Sequence, residues 1–444
     1  MLRFFRDLYF TNHFYIGIIG VVLVFVLGGF IPFLFPIGIA VFFLFMGWLC
    51  IEVYFLFAHG GKILGERISP DKLSNGDENE LFIQLHNLYR LPAHLSIIDE
   101  IPHQFQRRDI QWESDIAPGE EQTLLYKLRP TKRGEYDFGA VNIFCSILLR
   151  LVQRRFRYDN GKILPVYPSF LQMQKYELAA FSNFLEERGI KKQRRIGNTF
   201  EFEQIKEYVQ GDDPRTINWK ATARRNTLMV NQYQEEKSQP VYAIIDKGRL
   251  MKMPFDGLSL LDYAINASLV ILNIALKKDD KAGLITFSNK MSTALMAEKK
   301  SGQLFKIQEA LYNQLTRYKE TNFELLSLFV NRRIKRRSLL LLFTNFESLH
   351  SLERQLPYFR SLARRHVIVV IFFKNTAIKD LLRKDPESIE EIYIQTVAEK
   401  FSFEKELMAR KLNQNKVYTI LTTPEDLTID TINKYLELKA RGVV

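Results

Sequence analysis

Residues 211–251 read GDDPRTINWKATARRNTLMVNQYQEEKSQPVYAIIDKGRLM, and the reading of the fold turns on them. The polar loop Gly211-Asp212-Asp213-Pro214-Arg215 opens a short segment carrying Trp219, Lys220, Arg224 and Arg225. Further on, Val241-Tyr242-Ala243-Ile244-Ile245 is a short apolar run that stops at Asp246. Such a run, bounded by turn residues and followed by a helical pattern, predicts a strand buried on both faces of a parallel sheet. An acid at the carboxyl end of that strand lies where open α/β sheets bind ligands.

Downstream of Asp246 the pattern alternates. Helical spacing of apolar residues predicts helices over 258–277, 301–316, 322–333, 349–364, 388–413 and 425–439. Between them, apolar runs predict strands over 281–287, 338–343, 367–373 and 417–421, with an edge strand over 291–296. Strands alternating with helices predict a doubly wound parallel α/β sheet over 240–444, with right-handed crossovers.

Upstream, residues 14–31 and 37–57 are apolar runs rich in Phe, Ile, Val and Leu. Each has about the ~20 residues a helix needs to cross a bilayer. Gly28-Gly29, Pro32 and Pro36 lie between or near them, so residues 1–60 predict a two-helix transmembrane hairpin. Arg3 and Arg6 precede the hairpin, Lys62 and Arg67 follow it, and the intervening loop is uncharged. The positive-inside rule places both flanks in the cytoplasm, which for a bacterial chain means a multi-pass inner-membrane protein with cytoplasmic soluble domains. A cleaved signal peptide fits less well, because no small-residue cleavage site follows the first run and a second long run does. Glu52, near the end of the second run, is expected to reach the headgroups.

Residues 61–168 have alternating runs at 81–86 and 122–128, and turn signals at Asn75-Gly76-Asp77, Ala117-Pro118-Gly119 and Asp159-Asn160-Gly161. They predict an antiparallel β-sandwich. Gly134 and Gly139 mark backbone positions that need φ > 0 or close packing. His86, His94 and His103 lack the partner cysteines and tight spacing of a metal site and read as ordinary strand or loop histidines. Residues 169–239 form a linker and the signature segment. There, Asn198 followed by Glu201 resembles a helix start and Gly211 a helix stop, predicting a short helix over 201–210.

At 444 residues the chain has room for two soluble domains and an anchor. The net charge of +12 lies wholly beyond the hairpin. It suits an anionic membrane leaflet, or nucleic acid as a less favoured partner, but a solvated basic surface is the reading preferred over both. The basic runs Lys191-Lys192-Gln193-Arg194-Arg195 and Arg332 to Arg337 are where such contacts would form. Of the two cysteines, Cys50 lies in an apolar run and Cys145 in a strand-like run. No CxxC pair for zinc or redox chemistry exists.

The combination Gly211-Asp212-x-x-Arg215-x-Ile217-x-Trp219 with Ala223-Arg224, followed by a strand ending in Asp246, resembles the bacterial family known as domain of unknown function 58. The Arg133 to Gly139 stretch is similar to that family's pattern as well. The resemblance implies a von Willebrand factor A-like domain over 240–444. It also implies co-occurrence with AAA+ ATPases of the MoxR type, hence an adaptor in chaperone-like or cell-envelope work.

Von Willebrand A domains hold a metal in an adhesion site built from Asp-x-Ser-x-Ser, a later Thr and a later Asp. A hard divalent cation takes oxygen ligands of this kind. The corresponding positions here are Asp246, Gly248, Leu250, Thr321 and Asn345. Both serines and the second Asp are gone, and Lys247 and Arg249 add positive charge. The resemblance therefore implies a degenerate site without a metal. Lys247 and Arg249 either meet an acidic partner or pair with Asp212, Asp213 or Asp256, and the internal ion pair is the reading adopted.

The signature cluster of Asp212, Asp213, Arg215, Lys220 and Arg224 has no histidine and no nucleophile with a base beside it. No GxxxxGK[ST] loop occurs anywhere in the chain. The cluster reads as an ion-pair network docking the linker on the sheet domain, with Trp219 as a packing anchor. Its use as a binding surface is the next reading. The expected protein is a membrane-anchored, non-enzymatic interaction adaptor without a cofactor. One rival is a metal-dependent hydrolase using Asp212, Asp213 and Asp246. The other is a binder of anionic lipid or nucleic acid.

Overall fold

The computed structural model describes residues 2–57, 60–107, 110–159, 161–176, 200–210, 212–235, 238–316, 319–374 and 388–443. Two compact units divide the chain, Met1–Tyr167 and Pro168–Val444. The basic run 191–195 and Gly211 lie outside the described residues.

In the first unit, helices Asn12–Phe30 and Leu34–Phe57 are long and apolar enough to cross a membrane. Their side chains stay largely exposed within the protein itself, as lipid-facing helices require. The β-rich remainder forms a five-stranded antiparallel sheet and two three-stranded sheets. Asn79–Asn87 alternates buried and part-exposed side chains, the period-2 signature of a strand covered on one face. Leu81, Ile83 and Leu85 share one core with Leu95, Ile97 and Ile143. Gly134 has φ +133°, and a Cβ on Gly139 would lie 2.6 Å from the Glu100 carboxylate. One glycine thus serves by backbone freedom and the other by close approach.

One feature of this unit has no sign in the sequence pattern, and another departs from expectation. Leu8–Phe10, which precedes the hairpin, pairs antiparallel with Val152–Tyr158. Glu52 does not reach outward: it is fully buried. Its carboxylate accepts the backbone N–H groups of Leu149 (2.7 Å), Leu151 (2.9 Å) and Val152 (3.3 Å). Leu148 and Arg150 have left-handed backbones, so this turn aims several N–H groups at one point, and a carboxylate there satisfies them together.

In the second unit, six strands lie in the order Met291–Glu298, Lys281–Phe287, Pro240–Asp246, Leu339–Phe343, Val367–Phe373, Tyr418–Thr422. All neighbours are parallel except the Met291–Glu298 edge, which is antiparallel. Every side chain of Val367–Phe373 is buried, because helices cover both faces. Alternate residues point to opposite sides. Ala243, Leu341 and Val369 pack with helices Leu260–Lys277 and Leu427–Ala440. Ile244, Leu342 and Val370 pack with Phe323–Arg333, Leu349–Ala363 and Ile389–Gln414. Leu260–Lys277 is apolar enough to resemble a membrane span, yet it is 78% buried inside this unit. Its start is fixed by a capping box between Ser259 and Asp262, which satisfies backbone N–H groups the first turn would otherwise leave unpaired.

The expected helix over 201–210 is instead the strand Phe200–Glu207, paired antiparallel with Met229–Glu235. The apparent cap residues carry less weight than the partner strand supplied from across the signature segment.

Candidate functional site

In the six-stranded sheet, strand order reverses between Pro240–Asp246 and Leu339–Phe343: the first strand has the second on one side and the fourth on the other. Ligands bind beyond the carboxyl ends of strands at such a switch point. Asp246 closes the first of these strands, and Thr344 and Asn345 follow the other.

Asp246 is buried and both of its oxygens are occupied. One accepts the Thr321 hydroxyl (2.7 Å) and the Gly248 N–H (2.7 Å), and the other accepts the Thr344 hydroxyl (2.7 Å). Burial raises its carboxyl pKa above the ordinary value, while the hydrogen bonds from Thr321, Thr344 and Gly248 pull the other way. Gly248 sits so close that a Cβ there would lie 2.1 Å from the Thr321 hydroxyl oxygen. The two threonines and the glycine N–H take three of the roughly four lone-pair sites of the carboxylate.

The other adhesion-site positions lead away from Asp246. The Asn345 side-chain oxygen accepts the Lys405 ammonium at 2.7 Å, and Leu250 lines a cleft of about 1090 Å³ together with Asn345. A divalent ion at Asn345 would meet a fixed positive charge. The residues present do not fit a bound metal. Among the described residues, no three His, Cys, Asp or Glu side chains gather where one ion could be held. Arg249 pairs with Glu347 (3.2 Å) and Glu320 (4.0 Å), rather than with Asp212, Asp213 or Asp256. Lys247 is buried.

The signature segment is built differently. Asp212 accepts the Lys206 ammonium (2.9 Å) and the Val209 N–H (3.1 Å), and the Lys206 charge holds its carboxyl below the usual value. Asp213 accepts the Arg215 N–H at 2.9 Å, an Asx turn that sets up the helix to come. Asn218 caps the seven-residue helix Trp219–Arg225 by accepting the Ala221 N–H at 3.0 Å. The Thr222 hydroxyl then accepts the Met229 N–H at 3.0 Å and ties the helix to the following strand.

The polar residues of this segment thus maintain its own turn. Among the described residues they form no docking network through Arg215, Lys220 or Arg224. Trp219 is 70% exposed, so it is no packing anchor. Arg215, Lys220, Arg224 and Arg225 are exposed as well. Among the described residues none of these five side chains has a hydrogen-bond or ion-pair partner.

Two site residues escape a reading of the sequence. Thr344 directly follows an all-apolar strand, and its position beside Asp246 is readable from the parallel pairing once the strand order is known. Lys405 lies sixty residues from Asn345 on another element. Its only local sign is its place on the stripe Phe401, Lys405, Met408, Leu412.

Residues 204–414 match the family described as "Protein of unknown function DUF58". The Uncharacterized protein YeaD of Bacillus subtilis (strain 168) is 24% identical over 164 residues, which is 36% of this chain and 38% of YeaD. The chain thus matches well under half the length of that curated relative. Among solved structures, the SpRpn10 VWA domain aligns over 45% of this chain and 95% of its own length, at 11% identity and TM-score 0.28. The CARDB domain of a Pyrococcus furiosus protein aligns over 22% of this chain and 92% of its own length, at 16% identity and TM-score 0.16. Likenesses at these scores carry no argument, and the strand order stands on its own.

Proposed function

We propose that this member of the DUF58 family is a membrane-anchored, non-enzymatic adaptor. In this reading a β-sandwich and a von Willebrand A-like domain work at the cytoplasmic face of a bacterial inner membrane, and the signature helix is presented to a protein partner. One observation carries the proposal: the family signature leaves Trp219 exposed among four exposed cations that have no partner among the described residues. Exposed aromatic and Arg side chains of this kind supply binding energy at interfaces. The charge selects an acidic partner surface and gives a binding rate that falls with salt. A MoxR-type AAA+ ATPase is the partner the family resemblance suggests. The Asp246 pocket supports the non-enzymatic half of the reading, because its carboxylate is buried and its oxygens are committed to hydrogen bonds within the protein.

Co-purification in detergent of the full-length chain with a co-expressed MoxR-type ATPase tests the proposal. Trp219→Ala combined with Arg224→Glu should abolish capture while leaving the melting temperature unchanged. Capture that survives this double substitution would remove the signature helix from the interface. Reporter fusions at Val444 should be active only with a cytoplasmic reporter, and activity of a periplasmic reporter would overturn the topology.

A further inference from the structure

Lys405, on helix Ile389–Gln414, has no anionic partner among the described residues. Its ammonium donates to the Asn345 side-chain oxygen (2.7 Å) and to the Phe346 carbonyl (2.5 Å), both neutral. The Phe372 ring lies 5.7 Å away. An ammonium has three N–H groups, so one is left without an acceptor among the described residues. Lys405 is partly buried; a charge withdrawn from water without an opposite charge is costly to hold, and this burial pushes its pKa down to about 8.

Lys405 lines the cleft of about 1090 Å³ at the carboxyl ends of the strands. That volume is at or beyond the upper end of the roughly 300–1,000 Å³ usual for small-molecule sites. Phe255, Phe346, Phe373, Val397 and Phe401 give it apolar walls. Towards its start the same helix exposes Ile389 (87%) and Tyr393 (71%). The exposed acids Glu347, Glu406 and Asp426 also line the cleft, with Arg249 and Lys374 beside them, and of these acids Glu347 already pairs with Arg249.

We propose that this cleft binds an extended segment of a partner protein that carries one carboxylate between apolar side chains, and that the Lys405 ammonium receives the carboxylate. The apolar walls take the flanking side chains. The acids lining the cleft favour basic residues at the ends of the segment and oppose a polyanion or an anionic membrane surface. The complementarity is therefore for a single acid in an apolar stretch, which a peptide supplies and a lipid surface does not. This site lies apart from the signature helix in the sequence of elements that build it, and it holds whether or not that helix binds the ATPase.

A phage-displayed library of random dodecapeptides, panned on the detergent-solubilised full-length chain, tests the proposal. Enriched peptides are titrated by fluorescence anisotropy against wild type, Lys405→Gln, Lys405→Arg, Val397→Glu and Trp219→Ala. The enriched peptides should carry one Asp or Glu among apolar residues. Affinity should fall about thirtyfold in Lys405→Gln, as expected when one partner of a desolvated charge pair is lost. It should be largely kept in Lys405→Arg and unchanged in Trp219→Ala. Val397→Glu keeps the lysine but sets an anion in the wall, so it should abolish binding, and it decides the matter where Lys405→Gln does not fold. No enrichment, enrichment of peptides without an acid, or wild-type affinity in the Lys405→Gln and Val397→Glu proteins would each overturn the proposal. So would Lys405-dependent binding of dodecanoate in calorimetry with no peptide enriched, which would assign the cleft to a fatty carboxylate.

Discussion

At Asp246 both carboxylate oxygens have partners inside the protein. At Trp219, Arg215, Lys220, Arg224 and Arg225 no side chain has one among the described residues. Yet both regions carry the kind of residues that invite a functional reading: an acid at a strand end, and a polar cluster with a tryptophan. The difference lies in where the hydrogen bonds go. In the signature, Asp212, Asp213, Asn218 and Thr222 are spent on backbone N–H groups and Lys206, and that local bonding holds the cations and the indole out in solvent. Around Asp246, two threonines and a glycine turn inward on a single carboxylate. A polar cluster therefore identifies a binding surface only when its members are not consumed by one another.

The largest effects should come from disturbing the saturated pocket. Asp246→Ala would strand two hydroxyls and one N–H, each worth roughly 1–3 kcal/mol when buried without a partner. A loss of about 3 kcal/mol is expected in urea unfolding of the second unit within the full-length chain. Gly248→Ser should also destabilise, because its Cβ would press on the Thr321 hydroxyl at 2.1 Å, and overpacking typically costs about 1–3 kcal/mol. For the same reason, combining Gly248→Ser, Leu250→Ser and Asn345→Asp should damage the fold before it creates a metal site. A Gly248→Ser protein of wild-type stability would show that the pocket is looser than its geometry implies.

A smaller, pH-dependent effect sharpens the same half of the comparison. Burial raises the Asp246 pKa in the folded protein. Between the unfolded value, near 3.9 for a free Asp, and the higher folded value, the folded state holds more protons. Stability contributed by this group is therefore present at low pH and falls as pH rises through that window. Asp246→Asn carries no charge to desolvate, so its stability relative to wild type should increase with pH across the window. The increase should be about 1.4 kcal/mol for each pH unit between the unfolded and folded pKa values. A difference that stays flat with pH would mean that the three hydrogen bonds fully offset the burial.

Much of this arrangement is legible in the sequence where a period repeats. Strands 281–287 and 367–373 fall where the apolar runs predict, because a strand covered on both faces is apolar along most of its length. Helix Leu260–Lys277 begins two residues later than its apolar pattern suggests, since Ser259 is needed as the cap. Strand Phe200–Glu207 reads as a helix because a capping pattern is local, whereas the strand exists only through Met229–Glu235. Lys405 is invisible for a similar reason: nothing within its own helix shows that Asn345 lies 2.7 Å from its ammonium. Trp219 misleads because the size of an indole argues for burial, and only the fold shows a helix too short to cover it.

On the signature side the expected stability change is close to nothing. Trp219→Ala removes a side chain that is 70% exposed. A surface truncation of that kind usually changes stability by less than about 0.5 kcal/mol, far below the roughly 3 kcal/mol expected of a buried indole. The urea midpoint of Trp219→Ala should match wild type while ATPase capture is lost. Destabilisation comparable to that of Asp246→Ala would erase the contrast between the two regions and return Trp219 to the interior.

The smallest expected effect is that of divalent metal, and it bears on the pocket from the opposite direction. A divalent cation needs about six oxygens, with anionic ones among them to offset its desolvation. Asp246 is the one carboxylate at the adhesion-site positions, and its oxygens already accept from Thr321, Thr344 and Gly248. To bind there, an ion would have to displace three hydrogen bonds and gain a single negative charge. At Asn345 it would meet the Lys405 ammonium. A ligand that binds only the folded state raises the melting temperature as its concentration rises. Millimolar Mg²⁺ or Mn²⁺ should therefore leave the melting temperature of the full-length chain unchanged, and a chelator should not alter ATPase capture. Stabilisation by Mg²⁺ that disappears in Asp246→Ala would show that the threonines give way to an ion. The Asp246 pocket would then join the signature helix as a site open to ligands, and the hydrolase reading would return with it.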